Sequence, residues 1–211
     1  MWVKICGVTT PADAEAAVEA GADALGLNFV PSSPRYLSLE QAKAIIDQVR
    51  GRVELVGVVA NLDSAQCRSL LRAVGVDRLQ LHGEESVSLL AELGPSAFKA
   101  VGIASPSDVS RAASYSGDRI LVDARIGTQV GGTGHVFEWS WVAELAKRRS
   151  LVLAGGLGPS NVARAIAMVS PFGVDTASGV ESAQDKRAKD PEKMRRFVAA
   201  ARAAAATEGA S

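Results

Sequence analysis

The sequence is poor in the residues that mark several protein classes. It holds two cysteines, Cys6 and Cys67, and two histidines, His82 and His135, among 211 residues. A disulfide framework is excluded by that count, and no C-x-x-C or H-E-x-x-H spacing occurs, so no metal site is expected. Net charge is also absent: 23 basic residues balance 23 acidic ones, which gives no field for nucleic acid or an anionic surface. No apolar run reaches membrane-spanning length, and Met1-Trp2-Val3-Lys4 lacks a signal-peptide pattern. These absences predict a cytoplasmic protein with neither a nucleic-acid nor a membrane partner. What remains is an ordinary globular composition, 47% hydrophobic and 22% charged, on a chain long enough to bury about 70% of its unfolded surface without staples.

Short apolar, β-branched runs alternate with amphipathic stretches along the whole chain. The runs Val3–Gly7, Ala24–Phe29, Glu54–Ala60, Arg78–His82, Phe98–Ile103, Ile120–Asp123, Leu151–Gly155 and Gly173–Thr176 predict eight strands. Their near-continuous apolar character suits parallel strands covered on both faces. Helices are predicted over Pro11–Ala20, Ser38–Val49, Ser64–Val74, Glu85–Leu93, Ser107–Tyr115, Ser140–Lys147, Pro159–Val169 and Pro191–Ala204. Thr10 and Ser38 are cap candidates, with Gln41 completing a capping box, and Pro159 and Pro191 fit first helical turns. Strict β–α alternation requires right-handed parallel crossovers. Eight units of about 25 residues fit a single α/β domain, a closed (β/α)8 TIM barrel of the ribulose-phosphate-binding type, better than an open doubly wound sheet. No G-x-G-x-x-G follows the first strand to support the open sheet. The barrel is expected over residues 1–204, with 205–211 a frayed tail.

In such a barrel the chemistry sits where strands end. Cys6 ends the first strand; a thiolate there can act as nucleophile or proton acceptor, or the thiol can simply fill a small core position. Asp123 follows Ile120-Leu121-Val122 and lies nearly across the barrel from Cys6. An acid and a base flanking one substrate suit an isomerase that moves a proton. Gly155-Gly156 and Ser178-Gly179 end strands seven and eight, where small residues let backbone N–H groups approach a phosphate. Arg35, in the stiff loop Pro31–Tyr36, offers a fork for a carboxylate. Asn28, His82 and Asp175 also close strands and are candidate substrate contacts. The glycine-rich stretch Val130–His135, with Gly132, reads as a lid. Cys67 falls inside a helix and reads as structural.

Taken together and in order, Lys4-Ile5-Cys6-Gly7, Ser33-Pro34-Arg35-Tyr36, Gln80-Leu81-His82-Gly83-Glu84, Leu121-Val122-Asp123, Gly131-Gly132-Thr133-Gly134, Leu153-Ala154-Gly155-Gly156-Leu157 and Ser178-Gly179-Val180-Glu181 resemble the phosphoribosylanthranilate isomerase family across almost the whole chain. The resemblance implies an Amadori rearrangement in tryptophan biosynthesis. It implies Asp123 as general acid, Cys6 as general base, Arg35 on the anthranilate carboxylate and a phosphate site at Gly155-Gly156 and Ser178-Gly179. No cofactor is implied, and the partner is the small phosphosugar substrate. His135 stands where the family often has lysine, and Ser182–Asp190 lacks the family's usual Pro-Gly turn. A histidine-pathway aminoaldose isomerase on the same barrel is the nearest rival, but that family generally ends strand one with aspartate. A non-catalytic phosphosugar-binding barrel need not keep Cys6 and Asp123 together. The sequence admits a monomer or a homodimer.

Overall fold

A computed structural model describes residues 1–126, 129–130 and 137–208. The expected lid with Gly132, and His135, lie outside the described residues. Eight parallel strands form the framework: β1 (Trp2–Cys6), β2 (Ala24–Asn28), β3 (Glu54–Val59), β4 (Arg78–Leu81), β5 (Ala97–Ile103), β6 (Arg119–Ile126), β7 (Ser150–Leu153) and β8 (Gly173–Thr176). They hydrogen-bond in sequence, β8 pairs back onto β1 and β5 pairs with β6, so the sheet closes into a barrel. Eight helices alternate with them: α1 (Pro11–Glu19), α2 (Leu39–Val49), α3 (Ser64–Val74), α4 (Val87–Leu93), α5 (Pro106–Ser114), α6 (Ser140–Ala146), α7 (Val162–Val169) and α8 (Pro191–Glu208).

The helix ends follow capping chemistry. Thr10 accepts from Asp13 N at α1, and Ser38 with Gln41 forms a reciprocal capping box at α2. Pro191 opens α8, and Asp190 accepts from the N–H groups of Glu192 and Lys193.

Most boundaries shift by a residue or two from the sequence expectation, and four of the shifts are informative. The α7 helix starts at Val162, not Pro159, because Asn161 accepts from Gly158 N and donates to Gly156 O, holding the preceding residues in a turn. The α4 helix starts at Val87 behind the cap Ser86, since Glu85 is drawn inward instead. The β6 strand runs three residues beyond Asp123 and pairs antiparallel with Gln129–Val130, a short ribbon outside the barrel. The α8 helix continues past Ala204 to Glu208, as the strong helix preference of its alanines favours.

Successive strand residues point to opposite faces, and the core divides accordingly. Val3, Ile5, Leu25, Leu27, Leu79, Leu81, Val122, Leu151 and Val174 point outward into the layer under the helices. Ala24, Val56, Phe98, Ala100, Leu121, Val152 and Ala154 fill the barrel interior. Cys67 is buried on α3 in the helix layer, as expected of a structural cysteine. The inward register of β1 also carries Trp2, Lys4 and Cys6, so Lys4 is fully buried inside the barrel.

Candidate active site

The upper interior holds a polar cluster. Lys4 Nζ donates to Asp175 Oδ1 at 2.9 Å and to Gln80 Oε1 at 3.0 Å. Gln80 in turn contacts His82 Nδ1 at 2.9 Å, and His82 Nε2 lies 3.8 Å from Asp123 Oδ2. Cys6 sits two residues above Lys4 on the same face. The register places it beside Gly26, where an added Cβ would stand 2.6 Å from its sulfur. Gly26 is therefore the space the thiol occupies.

Burial is the largest single influence on the protonation of these groups, though not always the deciding one. It raises the Cys6 thiol above its ordinary value; Asp175 adds to the rise, while Lys4 and Lys189 oppose it. Burial and then repulsion from Asp175 push Asp123 up to about 7, opposed by the Ala124 N–H and by Lys4. Burial, Lys99 and Lys4 lower His82 to about 4. His82 is accordingly neutral at pH 7, and its approach to Asp123 is not an ion pair. Burial lowers Lys4, but Asp175 and Cys6 outweigh it, and the ammonium is held above its ordinary value.

Around the mouth, Asp123, Gly155, Gly156, Asp175 and Ser178 share one small cleft with Ala154, Leu157, Thr176 and Ala177. Gly155 and Gly156 have φ +87° and +67°, which a side chain rarely adopts. A Cβ on Gly155 would stand 2.3 Å from Ala124 N. Gly179 lies in the 3-10 turn Ser178–Val180, and a Cβ there would meet Leu157 O at 2.0 Å. Gly179→Ala is expected to push the two mouth turns apart and lower stability by about 1–3 kcal/mol; a melting curve unchanged from the wild type would show that the turns take up the added methyl without strain.

Arg35 is held from an unexpected side. Its stem crosses Gly7, where a Cβ would meet Cδ at 2.2 Å, and its Nε donates to Glu181 Oε1 at 2.5 Å. Lys189 Nζ approaches the same oxygen at 3.5 Å, and Arg187 donates to Pro34 O and Tyr36 O. Among the described residues, the terminal guanidinium nitrogens of Arg35 make no hydrogen bond, so one edge of the fork is anchored and the other is available. Asn28 differs from the other candidates: its Oδ1 accepts from Val30 N and closes the turn after β2.

The residues that sequence reasoning did not single out are Lys4, Gln80, Glu181 and the pair Lys99–Glu85. Lys99 Nζ lies 3.1 Å from Glu85 Oε2, and Glu85 also accepts from Asn61 N and Gly83 N. This pair pins the loop just after His82. A larger hollow, about 460 Å³, lies at the opposite end of the strands, among Arg50, Arg52, Glu54 and Asp77. There Asp77 accepts from Leu55 N and Arg52 binds Glu15; in this fold that end serves stability, not chemistry.

Fold and site together define a (β/α)8-barrel protein with a thiol at the end of β1 and, on β6, a carboxyl that lines a small polar cleft at the mouth. Residues 3–200 match the sequence profile of N-(5'-phosphoribosyl)anthranilate (PRA) isomerase. The N-(5'-phosphoribosyl)anthranilate isomerase of Myxococcus xanthus is 46% identical over 206 residues, covering 95% of each chain. A crystal structure of monomers generated from the dimeric phosphoribosylanthranilate isomerase of Thermotoga maritima superposes with TM-score 0.86 at 37% identity, covering 96% of this chain and 99% of that one. A structure of the isomerase with reduced 1-(o-carboxyphenylamino)-1-deoxyribulose 5-phosphate superposes with TM-score 0.83 at 37% identity and the same coverage. The chain belongs to the phosphoribosylanthranilate isomerase family.

Proposed function

We propose that this protein converts N-(5-phosphoribosyl)anthranilate to 1-(2-carboxyphenylamino)-1-deoxyribulose 5-phosphate, a step of L-tryptophan synthesis in the cytoplasm, without a cofactor. The observation that carries this reading is the joint presence of Cys6 and Asp123 on the inner mouth of the barrel, with the Asp123 carboxyl raised to about 7. A carboxyl near that value can hold a proton and still release it at working pH.

In the proposed sequence, Asp123 gives its proton to the ribose ring oxygen, the C1–O bond breaks, and the nitrogen lone pair forms an iminium. Cys6 as thiolate takes the C2 proton, and the C–H electrons flow into a C1–C2 double bond. The enolamine then loses its C2 hydroxyl proton and gains one at C1, which gives the ketone. Two protons enter and two leave, so no oxidant or reductant is needed. The iminium acidifies C2, which lets a single thiolate suffice as base. Its positive charge also offsets the burial that keeps the free thiol protonated. The free edge of Arg35 would hold the anthranilate carboxylate, and the turns at Gly155-Gly156 and Ser178-Gly179 the phosphate. His82, Asp175, Asn28 and Gly132 are assigned no step in the reaction itself. The dimeric Thermotoga relative makes a homodimer the first arrangement to examine, with a monomer the alternative.

Purified protein assayed side by side with phosphoribosylanthranilate and with the histidine-pathway aminoaldose tests the reading. Saturable turnover of the former is expected. Turnover of only the histidine-pathway compound would overturn it.

A further inference from the structure

Asp123 must part with a proton inside a site that penalises the carboxylate left behind, and the structure contains a group shaped for that moment. His82 Nε2 and Asp123 Oδ1 are both buried and without a hydrogen-bond partner among the described residues. The two groups face each other, with His82 Nε2 3.8 Å from Asp123 Oδ2. Whether Nε2 carries a proton is settled two residues along the network, at Lys4. The Lys4 ammonium has only donors, so the Gln80 atom 3.0 Å from it must be the carbonyl oxygen. The other end of the Gln80 amide, 2.9 Å from His82 Nδ1, is then its NH2, which donates. Nδ1 must therefore be the bare, accepting nitrogen, and the ring proton of neutral His82 must sit on Nε2, pointing at Asp123.

We infer that Gln80 is a positioning residue that fixes His82 as the Nε2–H tautomer, and that this N–H receives the Asp123 carboxylate once the acid has given up its proton. The inference rests on the isomerase reading for its last clause only. A hydrogen bond to a newly formed carboxylate is charge-assisted and so stronger than a neutral one. The 3.8 Å gap in the resting state, too long for a hydrogen bond, closes when the charge appears. Lys4 is the origin of the relay. Asp175 holds its ammonium from the other side, at 2.9 Å. The charges around the ring are Lys4 from β1, Lys99 from β5 and Asp123 from β6, with Asp175 on β8 behind Lys4. Burial, and after it the two ammonium groups, keep a second proton off the imidazole, so His82 works as a donor and not as an acid. Two of the candidate contacts, His82 and Asp175, thereby gain a task that does not require touching substrate.

The test uses the whole protein labelled with 15N-histidine. With two histidines in the chain, loss of one signal in His82→Asn assigns His82. In the wild type, His82 is expected to show a protonated Nε2 and a bare Nδ1, unchanged between about pH 5 and 8, where an ordinary histidine titrates. In Gln80→Glu, the carboxylate should draw the ring proton to Nδ1, leaving a lone pair aimed at Asp123. There kcat should fall about tenfold or more with KM within about twofold, in a variant whose thermal melt shows it folded. Gln80→Leu should lose the fixed tautomer and show a mixture. A wild-type proton on Nδ1 would overturn the inference, as would wild-type tautomer and kcat in Gln80→Glu. If the wild type shows Nε2–H but no turnover of phosphoribosylanthranilate, the isomerase reading fails and the tautomer assignment stands.

Discussion

Asp123→Asn is expected to lower kcat by roughly two to four orders of magnitude, the usual contribution of a general acid, and to raise thermal stability at alkaline pH. The stability effect follows from linkage. The folded-state pKa of Asp123, about 7, lies above its ordinary 3.8. Between those values the folded protein holds a proton that the unfolded chain has released. The group's favourable contribution is therefore complete below about pH 4 and is lost as pH rises through about 7. The gap corresponds to at most about 4 kcal/mol of penalty for the buried carboxylate. Asparagine carries no charge, so melting curves should coincide near pH 4 and separate in favour of the variant above pH 7. Equal melting behaviour at alkaline pH would show that Asp123 is not held protonated by its surroundings.

Cys6→Ala is expected to remove turnover almost completely, by roughly 10²- to 10⁴-fold in kcat, with KM little changed. The fold should lose about 1 kcal/mol, since a small buried group leaves a small space. Retention of wild-type turnover would exclude the thiol as base. The pH profile joins the two predictions. In the proposed reaction the reacting form needs Asp123 protonated and Cys6 ionised, while Asp123 sits near 7 and the thiol above its ordinary value. Below about pH 7 the thiolate fraction grows with pH and kcat/KM rises. Above 7 that growth is matched by loss of the protonated acid, so the profile flattens until the thiol itself ionises. The residual activity of Asp123→Asn should lack this break and keep rising through pH 7.

Much of this arrangement is legible along the chain because its signals are local. Each strand is a short apolar run between caps and turns, so eight units and their closure could be read directly. The thiol of Cys6 and the carboxyl of Asp123 stood out because each ends such a run, and Gly155-Gly156 because paired glycines after a strand have a conformational reason. Lys4 and Gln80 were hidden for a physical cause. Strands covered on both faces read as continuous, so the two-residue period that sets Lys4 on the same side as Cys6 is masked by Val3 and Ile5 facing the helices. Only the barrel's closure shows that this lysine meets Gln80 and Asp175. The anchoring of Arg35 by Glu181 was equally invisible, since the partners are 146 positions apart and nothing local links them. The late start of α7 has a smaller lesson: Pro159 is compatible with a first turn, but the Asn161 side chain bonds the backbone that would have formed it.

The most direct test of the account is the structure of this protein with reduced 1-(o-carboxyphenylamino)-1-deoxyribulose 5-phosphate bound. It should place the ligand's C2 about 3–3.5 Å from Cys6 Sγ, the spacing of reacting atoms. The ribose oxygen freed from the ring should face Asp123, the phosphate should lie against the turns at Gly155-Gly156 and Ser178-Gly179, and the carboxylate on the free edge of Arg35. A ligand seated with its phosphate elsewhere, or with C2 out of reach of Cys6, would contradict it.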